Sequence, residues 1–190
     1  MDKWRIIIII VMMTIGMNAS AQYKEYHGDG PDDVLRLVPI ASAVALKACG
    51  VESRSNWHAF LANVALSNIT AAGVTYGLKH SVHHMRPDGT DNKGFPSGHA
   101  SIAFAGAHVM FKEFKNTSIW IPIAGYAVAT ATAIDRVHRN RHKWDDVAAG
   151  ALIGVASTEL SYWITSKLMP NNERGTIALS PTSFTFRYDL

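Results

Sequence analysis

The sequence predicts an all-α domain of about five main helices with a short C-terminal β-hairpin. Long apolar segments separated by short polar breaks are typical of packed helices. Near the C terminus, Phe184, Phe186, Tyr188 and Leu190 alternate with other residues, which is a strand pattern. The hydrophobic share of 48% is ordinary for a globular chain of 190 residues. We therefore expect a single domain over residues 22–190, with its core in 33–168 and a tail in 169–190.

The first 21 residues have the composition of an export sequence. Lys3 and Arg5 form a basic start, an apolar run follows at 6–17, and small residues occupy 19–21. The run is shorter than the roughly 20 residues that span a bilayer. This order is typical of a secretory signal peptide, and an uncleaved anchor is the alternative. We expect a protein exported to the periplasm or to the periplasmic face of a bacterial envelope membrane.

Two helices are expected before a surface loop at residues 88–92. Asp32 or Asp33 is a suitable N-cap for a helix that runs to about residue 49, and Pro39 is expected to bend it. Further along, the apolar segment at 56–84 predicts a second, longer helix. One cysteine in the whole chain excludes an internal disulfide.

Three more helices are expected after a surface loop at residues 88–92. They cover residues 97–114, about 119–133, and about 144–168. Between the last two, the basic segment 136–143 is expected to be a loop. The final helix is rich in alanine and glycine, and such small residues permit close packing between helices.

Three short clusters of polar residues interrupt these apolar segments. In chain order they are Lys79 with Arg86 and Pro87; Pro96, Ser97, Gly98 and His99; and Arg136 with His142 and Asp146. Together they supply three cations, two histidines, a carboxylate and a turn with free backbone N–H groups. Phosphoryl transfer depends mostly on positioning and on neutralising charge, which these groups can do. The clusters therefore predict a site that holds a phosphate and attacks its phosphorus.

The cations and the turn suit the oxygens of a phosphate. Arg86 and Arg136 carry planar forks that match phosphate oxygens, and Lys79 adds a point charge. If the chain is helical as far as Arg86, it shares a helix face with Lys79, seven residues earlier. Ser97 is a suitable N-cap, and Gly98 lets an anion approach the backbone of the following helix.

The two histidines suit different steps of the reaction. His142 and Asp146 are four residues apart, so on a helix the carboxylate can accept a hydrogen bond from one imidazole nitrogen. That bond would fix the tautomer and direct the other nitrogen at phosphorus. His99, at the start of another helix, is then available to protonate the leaving oxygen.

The clusters resemble the pattern of the type 2 phosphatidic acid phosphatase family, which includes bacterial class A acid phosphatases and vanadium haloperoxidases. That pattern has a lysine, six residues and Arg-Pro; then Pro-Ser-Gly-His; then Ser-Arg, five residues, His, three residues and Asp. The resemblance implies that His142 is the nucleophile, Asp146 its partner and His99 the acid. It also implies that phosphate is bound by Lys79, Arg86, Ser97, Gly98 and Arg136. Asp135 stands where the family has serine, and a carboxylate there is expected to weaken phosphate binding or lower the pH optimum.

Some of the histidines could instead form a metal site. His80, His83 and His84, or His138 with His142 and Asp146, offer a zinc-site alternative. Because phosphate-binding cations surround them, we expect no metal and no other cofactor. A formal net charge of +3 is too small to indicate a nucleic-acid partner.

The expected function is that of an exported phosphatase that uses a phosphohistidine intermediate. Its expected substrates are lipid phosphates at the membrane face, such as lipid A, phosphatidate or an isoprenoid pyrophosphate. No apolar run of about 20 residues is uninterrupted and the mean hydropathy is +0.04, yet small residues pack well in lipid, so membrane association is expected. The alternatives are a soluble broad-specificity acid phosphatase, a vanadate-dependent haloperoxidase, and a non-enzymatic envelope protein.

Overall fold

A computed structural model describes residues 30–169 with their side chains, and the backbone of two further segments near the C terminus. The expected signal peptide lies outside the described residues. The helices are α1 (Pro31–Leu35), α2 (Val38–Ala48), α3 (Trp57–Ser81), α4 (Gly98–Phe114), α5 (Trp120–His138) and α6 (Trp144–Leu168). The strands β1 (Gly175–Ser180) and β2 (Ser183–Tyr188) pair antiparallel. The predicted all-α class, with five main helices, is confirmed for the chain up to residue 169.

Helix α4 is the centre of the bundle, and it packs against α2, α3, α5 and α6. Its contact with α6 depends on two glycines. A Cβ on Gly150 would lie 2.4 Å from the carbonyl oxygen of Ser97, and one on Gly154 would lie 2.3 Å from that of Ser101. Because only glycine allows backbones to approach this closely, the expected packing role of small residues in the last helix is confirmed.

The largest buried apolar cluster lies at the C-terminal end of α4. Phe60, Met110 and Phe114 are among its members, and each is at most 2% exposed. The polar motif at residues 96–99 lies at the opposite, N-terminal end of the same helix. One end of the bundle therefore supplies most of the apolar packing, and the other end is free to carry polar chemistry.

Two of the predicted helix boundaries are wrong in the first half of the chain. The first helix is broken into α1 and α2, with Pro39 in the opening turn of α2 rather than at a bend. Proline suits that position because its missing N–H needs no partner there. Helix α3 begins as predicted, with Asn56 capping the N–H of Ala59 at 2.9 Å, but it ends at Ser81 and not at residue 84.

The expected helix face shared by Lys79 and Arg86 is therefore also wrong. After Ser81 the chain is extended, and Arg86 N donates to Asp91 O at 3.0 Å. This turn, and not a helix face, places Arg86 at the site.

The basic segment after α5 also begins later than expected. Helix α5 continues to His138, so Asp135 and Arg136 lie on its final turns and not in a loop. The remaining loop, residues 139–143, includes Asn140 with a φ of 55°. Asparagine tolerates this left-handed conformation better than most residues, and it marks the turn that reverses the chain into α6.

Candidate active site

The three motif clusters meet at the N-terminal end of α4. Ser97 N donates to the carbonyl oxygen of Asp146 at 2.9 Å, which joins this turn to the start of α6. A Cβ built on Gly98 would lie 3.9 Å from Cε of Lys79, which places the end of α3 beside the same turn. The structure thus brings together the ends of helices that are far apart in sequence.

Ser97 is the N-cap of α4, as predicted. Its hydroxyl accepts from Ala100 N at 3.4 Å, and the side chain is fully buried. Gly98 is the first residue of the helix. The helix N-terminus offers unpaired N–H groups and a partial positive charge to an anion.

Lys79 and Arg86 are held by polar atoms of the neighbouring loop. Lys79 Nζ donates to Lys93 O at 2.7 Å, and Arg86 Nε donates to Asp91 Oδ1 at 2.7 Å. Burial lowers the pKa of Lys79 to about 8, and the charge of Arg86 adds to the effect. Like charges are therefore close together here, which favours binding of an anion between them.

Arg136 is 6% exposed and donates to Asp32 of α1. Arg139 Nη1 donates to the other oxygen of that carboxylate at 2.6 Å. Among the described residues, Arg136 Nε is buried and has no hydrogen-bond partner. Buried polar atoms are normally satisfied, so this N–H is available to an oxygen of a ligand.

His142 is 2% exposed, and its Nδ1 donates to the carbonyl oxygen of Gly94 at 2.7 Å. Because Nδ1 carries the proton, Nε2 carries the lone pair. Burial lowers the pKa of His142 to about 2, and the charges of Arg136, Arg86 and Lys79 contribute in that order. The imidazole is therefore neutral at physiological pH, as a nucleophile must be.

The expected hydrogen bond between His142 and Asp146 is not formed. His142 precedes α6, so the geometry of two residues four apart on a helix does not apply, and Nδ1 lies 3.7 Å from Asp146 Oδ2. The buried carboxylate has two other partners. Oδ2 accepts from Lys143 N at 2.8 Å, and Oδ1 lies 3.1 Å from Nδ1 of His84. The carbonyl of Gly94 thus fixes the tautomer of His142, and Asp146 lies next to it as a nearby charge.

His99 Nε2 donates to Asp33 Oδ1 at 2.7 Å and lies 3.5 Å from Asp32 Oδ2. Burial and then the charge of Arg136 lower the pKa of His99 to about 4, and the hydrogen bond to Asp33 opposes that shift. Asp32 and Asp33 were expected only as helix caps. In the structure Asp33 Oδ2 does accept from Gly30 N, at 3.1 Å, but both carboxylates also enter the site.

Asp135 lies beside Asp32 on the last turns of α5. Burial and the neighbouring Asp32 carboxyl raise the pKa of Asp135 to about 6. Burial opposes ionisation of Asp32 as well, but Arg136 and His99 outweigh it and lower its pKa. The residue that replaces the serine of the family pattern is therefore one half of a carboxyl pair at the edge of the site.

Two groups of side chains within residues 30–169 have atoms close enough to share a metal ion. They are Asp32, Asp33 and His99, and His84, Asp145 and Asp146. Arginine side chains already occupy both oxygens of Asp32. Lys143 Nζ lies 3.5 Å from His84 Nε2 in the second group. Cations in contact with the ligand atoms make both groups poor metal sites.

Comparisons with known proteins agree with the motif. The model of the PAP2 superfamily matches residues 88–170. Lipid A 1-phosphatase of Porphyromonas gingivalis is 35% identical over 159 residues, which is 80% of this chain and 36% of that protein. A probable diacylglycerol pyrophosphate phosphatase 1 of Schizosaccharomyces pombe is 34% identical over 89 residues, 41% of this chain and 31% of that protein. Lipid phosphate phosphatase 1 of Arabidopsis thaliana is 35% identical over 82 residues, 37% of this chain and 25% of that protein.

The chain spans about a third or less of the length of these relatives. No solved structure matches it. The family model covers the site from the loop after Arg86 to the end of α6, and the match to lipid A 1-phosphatase extends over 80% of the chain. On these matches and on the motif from Lys79 to Asp146, the chain belongs to the PAP2 superfamily, that of the type 2 phosphatidic acid phosphatases.

Proposed function

We propose that this chain is a phosphatase that hydrolyses phosphomonoesters of lipids through a phosphohistidine intermediate on His142. The observation that carries the proposal is the state of His142, a neutral imidazole with its Nδ1 proton held by a carbonyl and three cations nearby. A neutral nucleophile surrounded by positive charge is suited to an anionic electrophile such as a phosphate ester.

In the proposed mechanism the phosphate lies among Lys79, Arg86 and Arg136, with the turn at Ser97 and Gly98 contributing backbone N–H groups. These groups neutralise the charge on the non-bridging oxygens, where it is spread in the transition state. The unpartnered Nε of Arg136 supports this assignment. No metal is required for the role, because the side chains already supply the charge that a metal would.

The proposed reaction consists of two successive displacements at phosphorus. Nε2 of His142 attacks, a P–N bond forms, and the P–O bond to the lipid breaks while the protonated form of His99 gives a proton to the leaving oxygen. Water then attacks phosphorus and gives a proton to His99, a new P–O bond forms, and the P–N bond to His142 breaks to release inorganic phosphate. Asp146, 3.7 Å from the imidazole, offsets the positive charge that the ring carries while it holds the phosphoryl group.

Lipid substrates are favoured by the rim of the site. Trp144 is 64% exposed and Met85 is 54% exposed, and each is within two residues of a motif residue. Exposed tryptophan next to a polar site is typical of a membrane interface. Within the described residues, α6 is the one helix that is long and apolar enough to cross a membrane. Three relatives are named as lipid phosphatases. We also propose that residues 1–21 act as a signal peptide for export, and that the protein associates with the periplasmic face of the membrane.

Turnover of the purified protein tests this proposal. Lipid A, phosphatidate and an isoprenoid pyrophosphate in mixed micelles are compared with water-soluble phosphate esters, and released phosphate is measured in the presence of a chelator. We expect lipid phosphates to be hydrolysed with the higher kcat/KM, and vanadate to inhibit. Preference for the soluble esters would support a soluble acid phosphatase instead, and no turnover by a folded protein would contradict phosphatase function.

A further inference from the structure

His84 lies where two supports of His142 meet, although it belongs to none of the three motif clusters. Beyond the end of α3 the chain pairs with the loop that leads to α4. His84 N donates to Asn92 O at 3.0 Å, and Gly94 N donates to His84 O at 2.8 Å. The bridge between His84 and Lys93 is parallel. The backbone of His84 is thus fixed on both sides by residues 92–94.

The first support runs through Gly94. Its carbonyl oxygen accepts the Nδ1 proton of His142 at 2.7 Å, and its N–H is held by His84 O. A Cβ on Gly94 would lie 2.8 Å from His84 O, so only glycine allows this close approach. The backbone of His84 therefore sets the position of the carbonyl that fixes the tautomer of His142.

The second support runs through the imidazole of His84. Its Nδ1 lies 3.1 Å from Oδ1 of Asp146, which is fully buried. On the other side of the ring, Nε2 lies 3.5 Å from Lys143 Nζ. An ionised carboxylate only accepts and an ammonium only donates, so the arrangement fits a ring protonated at Nδ1. The carboxylate of Asp145 also lies within 4.8 Å of the ligand atoms of His84 and Asp146.

We propose that His84 is a positioning residue for phosphoryl transfer. Its ring holds Asp146, the carboxylate beside His142, and its backbone holds Gly94, whose carbonyl orients His142. The proposal rests on the proposed function of His142 as the nucleophile. Asp146 Oδ2 is held by Lys143 N, so the bond from His84 is what fixes Oδ1. Without that bond, the carboxylate that offsets the charge on the phosphohistidine loses one of its two hydrogen-bond partners.

The test compares three variants in mixed micelles with a lipid phosphate substrate. His84→Ala removes the bond to Asp146, and we expect kcat to fall about 10- to 100-fold, as for the loss of a hydrogen bond to a charged group, with KM unchanged. His84→Asn keeps an N–H near the position of Nδ1, and we expect it to recover most of kcat. His83→Ala, which changes an exposed neighbour, is the matched control and is expected to behave as the wild type.

Rapid-quench trapping and melting temperature complete the test. We expect the phosphoenzyme to form more slowly in His84→Ala while the melting temperature stays close to that of the wild type. A loss of kcat that only follows a lower melting temperature would overturn the proposal, as would an Asn variant as impaired as Ala. A change in KM alone would also overturn it, because it would place His84 against the substrate. Wild-type protein that forms no phosphoenzyme would refute the proposed function, whereas normal kcat in His84→Ala would refute only the role of His84.

Discussion

Replacing Asp135 by Asn is expected to stabilise the protein, and only at neutral and alkaline pH. Burial and Asp32 raise the pKa of Asp135 from 3.8 to about 6. A carboxyl whose pKa is raised on folding favours the folded state while it is protonated, below 3.8, and that contribution is lost as the pH rises through about 6. Asparagine resembles the protonated acid at every pH, so the variant keeps this contribution.

The size of the expected stabilisation follows from the raised pKa of Asp135. The difference between a pKa of 3.8 and one of about 6 corresponds to at most about 3 kcal/mol, because each pKa unit is about 1.4 kcal/mol. For a domain of this size, 3 kcal/mol corresponds to about 6 to 12 °C in Tm. We therefore expect Asp135→Asn to melt several degrees above the wild type at pH 8 and at nearly the same temperature at pH 4.

Thermal unfolding of both proteins across this pH range is the assay. Glu52→Gln, a substitution at an exposed carboxylate, is the matched control and is expected to show no such divergence. A difference in Tm between Asp135→Asn and the wild type that does not change with pH would refute the reasoning. Asp135→Ser, which restores the serine of the family pattern, is expected to keep turnover and tighten phosphate inhibition about 3- to 10-fold, as for removal of one nearby negative charge.

Three further predictions concern the carboxylates of α1 and the metal question. Asp32→Asn is expected to lower Tm in phosphate-free buffer, because it leaves the buried Arg136 without its charge partner. Added phosphate should raise Tm more in this variant than in the wild type. An equal rise in both proteins would contradict this prediction. In the pH profile of kcat/KM, Asp33→Asn is expected to move the alkaline limb to lower pH, since Asp33 raises the pKa of His99. An unchanged pH profile would count against His99 as the acid. Activity should survive a chelator, and loss of activity that zinc restores would favour a metal site instead.

Local features of the site were predictable from sequence. Ser97 as the N-cap of α4 and the packing role of Gly150 follow from short-range chemistry, and both are found in the structure. The motif spacing also predicted that Lys79 and Arg136 would meet at one site. Their charges do act together on His142.

The partners of the site residues were less predictable because they are distant in the chain. Asp33 and His99 are 66 residues apart, and His84 and Asp146 are 62 apart. Nothing in the local pattern around Asp33 distinguishes a helix cap from a partner of His99. The early end of α3 was missed because residues 82–86 contain no glycine before Pro87, and their pairing with residues 91–94 is a tertiary interaction.

Trapping of labelled phosphate on the protein tests the central claim most directly. Wild-type protein, His142→Ala and His99→Ala are mixed with a labelled substrate and quenched within the first turnover, using one good and one poor leaving group. We expect an acid-labile phosphoenzyme in the wild type and none in His142→Ala. His99→Ala should form it more slowly, above all with the poor leaving group, which most needs a proton. Phosphoenzyme that persists in His142→Ala and disappears in His99→Ala would contradict the assignment of the nucleophile.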